Sequence, residues 1–119
     1  MTLGGAQMTA YIGVDEDFEV DYLIEDLQEL GMELGMNKVN RWEDREVLIL
    51  IEGNGAEVGI AEYGNVVSLG IRTQEEDDPS AARWIDKNSP DLVKIFYSHG
   101  TPIRRVGTFS NGETIYEKR

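Results

Sequence analysis

The chain has 119 residues, no cysteine and one histidine, which predicts a single domain and excludes thiol catalysis, cysteine-ligated zinc and a histidine-rich metal site. A net charge of −12 argues against nucleic acid or an anionic membrane as partner. The longest apolar run, residues 47–51, is far short of a membrane span, and residues 1–7 lack the basic start and apolar stretch of a signal peptide, so a soluble, cytoplasmic protein is expected.

Residues 1–7 read as a flexible arm and residues 8–119 as one α+β domain. Residues 8–14 have strand composition, with Ala10, Ile12 and Val14 on one side, and are expected at the edge of a sheet or one strand in from it. Asp15 or Asp17 can cap the helix that follows. In residues 18–30, Val20, Leu23, Ile24, Leu27 and Leu30 recur at three- and four-residue spacing, and Gly31 is placed to end the helix. Residues 32–36 could add a turn or fold over the helix end. Residues 37–45 are polar around Trp42, with Val39 in a possible short strand.

Residues 46–72 are the centre of the reading. Residues 47–51 suit a strand buried on both faces, closed by a turn at Gly53, Asn54 and Gly55. Ala56, Val58 and Ile60 then alternate with Glu57, Gly59 and Ala61, and beyond Gly64 and Asn65 a third strand carries Val67, Leu69 and Ile71. An acidic loop over 73–78 leads to Asp78 and Pro79, which start a short helix around Ala81, Trp84 and Ile85, ended at Asn88, Ser89 and Pro90. Strands are expected over 92–97, 103–109 and 113–117, the last two joined by a hairpin turn at Ser110, Asn111 and Gly112. The expected fold is therefore α+β: an antiparallel meander sheet of six or seven strands, one main amphipathic helix packed on it, and a second short helix.

No cofactor, metal or catalytic residue is expected. Gly53, Gly55 and Gly59 do not have the spacing of a dinucleotide loop, and a strand follows them where a helix is needed. His99 has only Ser98 beside it, in a turn where neighbouring side chains point apart, and reads as a loop residue. Glu75, Glu76, Asp77 and Asp78 lack the alternation and the glycine of a calcium loop.

What the sequence does carry is uneven charge. Residues 1–36 hold nine carboxylates and no Lys or Arg, whereas the other 83 residues hold 14 acids and 11 bases. On a helical wheel the face opposite the apolar stripe of the first helix collects Phe18, Glu19, Asp21, Tyr22, Glu25, Asp26 and Glu29. Asp21, Glu25, Glu29 and Glu33 are successive i,i+4 like-charge neighbours, each pair costing a helix about 0.2–0.5 kcal/mol. A surface built for solubility alone would intersperse lysine. Those seven residues, with Tyr22 as anchor, are the expected contact face for a basic protein surface. The plainer account is a solvated acidic surface, with Phe18 closing the start of the helix and Tyr22 leaning on the sheet.

The helix DYLIEDLQELG followed by the hairpins of LILIEGNGAEVGIAEYGNVVSLG resembles small immunity proteins that neutralise bacterial polymorphic and contact-dependent toxins. The likeness covers residues 15–72. It implies a compact, acidic α+β protein that covers a cognate toxin without catalysis, and it transfers no functional residue. Three classes of function remain: an inhibitor of the immunity or nucleic-acid-mimicking kind, a small enzyme or ligand-binding domain with a carboxylate-lined cleft, and a structural or virion component.

Overall fold

The computed structural model describes residues 8–108 and 114–118, with side chains up to residue 104. The expected arm over 1–7 and the hairpin turn at Ser110, Asn111 and Gly112 lie outside the described residues. The element order is β1 (Met8–Gly13), α1 (Val20–Glu33), β2 (Lys38–Arg41), β3 (Val47–Gly53), β4 (Ala56–Tyr63), β5 (Val66–Thr73), α2 (Pro79–Tyr97), β6 (Thr101–Thr108) and β7 (Thr114–Lys118). All seven strands form one antiparallel sheet in the order β2-β3-β4-β5-β1-β6-β7. This is the α+β fold expected from the sequence.

Two-residue turns build the β3-β4-β5 meander. Asn54 and Gly55 both take positive φ, 57° and 74°, the conformation that a tight hairpin between right-twisted strands requires. The strands are not a simple meander throughout. β1 lies between β5 and β6, paired with both, and is neither an edge strand nor one in from it. Ala10 and Ile12 are buried beneath the helices, and an apolar strand at the middle of a sheet hides more surface than one at its edge.

In α1 the buried side chains are Leu23, Ile24 and Leu27, with Val20 and Leu30 packed beside them, so the apolar stripe faces the sheet as its spacing predicts. Both helix ends differ from expectation. Glu19, not Asp15 or Asp17, is the N-cap, and Asp15 instead accepts the Asp17 backbone N–H at 3.0 Å. Gly31 lies inside the helix and is buried against Ile51. The chain turns off at Gly35, φ 94°, with the Met36 N–H donating to the Gly31 carbonyl at 2.8 Å and the Gly35 N–H to that of Met32 at 3.1 Å, a Schellman motif one turn later. That extra turn buries Met36.

α2 is the larger correction. Asp78 caps it by accepting the Ala81 N–H at 3.1 Å, and Pro79 opens it as expected. The helix then runs for 19 residues, through Pro90 and the segment 92–97 that reads as a strand. A proline inside a helix costs about 3 kcal/mol. Ile85, Leu92 and Phe96 lie on one buried stripe with Ala81, and burying each large side chain is worth about 1.5–3 kcal/mol, so the stripe outweighs the proline, which faces solvent.

β3 is buried on one face only. Ile49 and Ile51 are fully buried under the helices, whereas Leu50 is half-buried on the opposite face. Both helices pack on the same side of the sheet, α1 against β3 and α2 across β4, β5 and β1.

Candidate protein-binding face

The outer face of α1 is the most charged surface of the helix layer. At about 100° per residue, Glu29 and Glu33 lie within about 20° of Tyr22, with Asp26, Glu19 and Glu25 within about 60°. Tyr22 is 62% exposed, and Met32, about 80° round the helix from it and on the Glu25 side, is 61% exposed. Two large apolar side chains thus stand in water among carboxylates. Met32 was not among the residues expected here; its phase on the wheel was the available signal.

Glu19, Asp21, Tyr22, Glu25, Asp26 and Glu29 are all exposed and share this face. Phe18 does not join them. It precedes the helix, is half-buried, and packs against the core.

Two carboxylates at the margins are paired, by partners that sequence spacing could not locate. Arg41, brought by β2 to the helix side of the sheet, forms an ion pair with Asp21. His99, in the turn after α2, places Nε2 2.6 Å from Asp26 Oδ2. Between these margins, no described cation is ion-paired with Glu25, Glu29 or Glu33. The arrangement is an acidic strip held at both edges, with Tyr22 and Met32 at the solvent side.

Beside this face lies a cavity of about 480 Å³, lined by Asp15, Asp17, Phe18, His99 and Thr101 among others. Ser98 is not a partner for the imidazole: its hydroxyl donates to the Ile95 carbonyl at 2.6 Å at the end of α2. Among the described residues no group of three or more Asp, Glu, His or Cys is placed to hold a metal ion, and no helix is long and apolar enough to cross a membrane. No protein-family model matches this chain, and no curated protein matches it in sequence.

Proposed function

We propose that the protein is a non-enzymatic inhibitor or binding protein whose α1 outer face covers a basic protein surface, as an immunity protein or a nucleic-acid mimic would. One observation carries this reading: Tyr22, about three-fifths exposed, stands beside Glu25, Glu29 and Glu33, none of them ion-paired with a described lysine or arginine, with the equally exposed Met32 on the same outer flank. Exposed aromatic and thioether groups supply desolvation, while the carboxylates select cationic partners and speed their approach. The lack of cysteine supports a reducing, cytoplasmic setting.

The test is affinity capture from the native host at low and high salt, with the Glu25→Lys, Glu29→Lys double variant as control. A basic protein held by the parent at low salt, released by salt and not held by the variant supports the reading. Equal capture by parent and variant removes it.

The second reading, a ligand-binding or catalytic cleft, draws on the cavity beside His99. An imidazole next to Asp26 is a candidate for proton transfer to a bound molecule, but its described side-chain hydrogen bond goes to Asp26 and not to Thr101, Asp15 or Asp17, the lining groups that could act as nucleophiles. His99→Ala separates the two: it abolishes activity in a cleft that uses the imidazole and leaves an α1 binding face intact.

A further inference from the structure

The face of the sheet opposite the helices has its own relief. Residues paired across a ladder point the same way, so Leu50, Gly59, Gly70 and Thr9 form one row of this face, and Val47, Ala61 and Ser68 the next. Val47 and Leu50 stand on β3 as a ridge. Beside them the small residues of β4 and β5 leave a trough, with a cavity of about 360 Å³ bordered by Met8 and Tyr63. Val47 and Tyr63 are 42% and 46% exposed, two of the five exposed large apolar side chains of the described chain. An apolar surface of this kind on a water-facing sheet marks an interaction site.

Charge separates this face from the rest of the molecule. Its described ionic side chains are Lys38, Glu52, Glu57 and Arg72, which sum to zero and are already paired: Lys38 Nζ is 3.7 Å from Glu52 Oε2, and Arg72 holds Glu57. On a chain of net charge −12, it is a surface that can meet its own copy without repulsion.

We propose that the open sheet face pairs with the same face of a second copy, forming a two-fold symmetric, sheet-on-sheet dimer. A two-fold contact requires a self-complementary surface, and a ridge lying beside a trough meets that requirement: the Val47–Leu50 ridge of each copy enters the trough of the other. Two sheets packed this way lie about 10 Å apart, and the α1 helices are on the far sides of both. Their acidic faces are thus separated by more than the Debye length of about 8 Å at physiological ionic strength. The six adjacent strands from β2 to β6 in the sheet order, about 4.8 Å apart, with strand segments of about six residues, make the face roughly 24 by 20 Å. That is the lower end of a specific interface, so the dimer is a reversible one. The proposal does not rest on α1 having a partner, and it leaves both α1 faces free.

Sedimentation equilibrium of the full chain, from low micromolar to near-millimolar concentration, tests it. The expected result is a monomer–dimer equilibrium that high salt does not dissociate, since the contact is apolar and the described charges of the face are already paired within each copy. Gly70→Glu carries the test further, because a Cβ at Gly70 meets no atom within 4 Å and the fold has room for the new side chain. This variant places like charges in the contact and should weaken self-association at least tenfold. Tyr63→Glu, at an exposed rim position, should do the same and serves should Gly70→Glu fail to fold. Glu25→Lys with Glu29→Lys should leave the equilibrium in place. A monomer at every concentration, a dimer indifferent to both sheet-face variants, or one lost in the α1 variant overturns the proposal.

Discussion

His99 Nε2 and Asp26 Oδ2 are 2.6 Å apart across 73 residues of chain, joining the turn after α2 to the outer face of α1. The contact lies at the margin of the acidic strip and beside the cavity, so it belongs to either functional reading. Its energetic weight is small, because Asp26 is 51% exposed and an exposed pair contributes about 0–1 kcal/mol.

From that weight, His99→Ala should lower the melting temperature by no more than a few degrees. Binding through Tyr22 should be unchanged. Loss of function with an intact melt would move the functional centre to the cavity lined by His99, Asp15 and Asp17.

The two faces of β3 make a sharper comparison. Ile51 is fully buried between the sheet and α1, with its Cγ2 against Gly31, whereas Leu50 faces away from the helices and is half-buried. Ile51→Asp should cost more than about 4 kcal/mol and unfold the protein, since an unpaired charge cannot be hydrated there. Leu50→Asp should leave a folded monomer destabilised by about 1–2 kcal/mol. Urea titrations of the two variants decide; similar midpoints would mean that β3 is covered on both sides.

Pro90 gives a stabilising prediction. It sits in the interior of α2 and is exposed, so Pro90→Ala returns one backbone N–H to the helix without disturbing packing. The intrinsic preference for alanine is about 3 kcal/mol, reduced by the freedom alanine restores to the unfolded chain. A gain of about 1–2 kcal/mol in calorimetry is expected. A lower melting temperature would mean that Pro90 stabilises more by restricting the unfolded chain than it costs the helix.

Pro90 also marks where the sequence stopped being legible. Local signals placed the three-strand meander and the apolar stripe of α1, because the period of two, the Asn54–Gly55 turn and the three- and four-residue spacing all act over a few residues. At 88–97 the local signals misled: Asn, Ser and Pro mark a break, and LVKIFY has strand composition. The deciding term was the tertiary burial of Leu92 and Phe96, which no window around Pro90 contains. The position of β1 in the interior of the sheet is likewise set by pairing with residues more than fifty positions away. The same holds for the candidate face. Its carboxylates and Tyr22 could be read from the wheel, but Arg41 and His99 reach it only through the fold.

The strip on α1 makes separable kinetic predictions once a partner has been captured. Tyr22 contributes contact area that is desolvated only in the complex, so Tyr22→Ala should raise the dissociation rate and cost about 2 kcal/mol or more. Glu25 and Glu29 are exposed and unpaired by any described cation, so they act at a distance on an approaching basic surface. Reversing both to lysine changes the local charge by four, which should slow association at low salt and lose most of its effect at high salt. Neither change touches Leu23, Ile24 or Leu27, so the fold should survive, with helical circular dichroism as the control. Association rates across a salt series check the argument. If the charge-reversed protein binds as fast as the parent at every ionic strength, the acidic strip is a solvated surface and does not steer the partner.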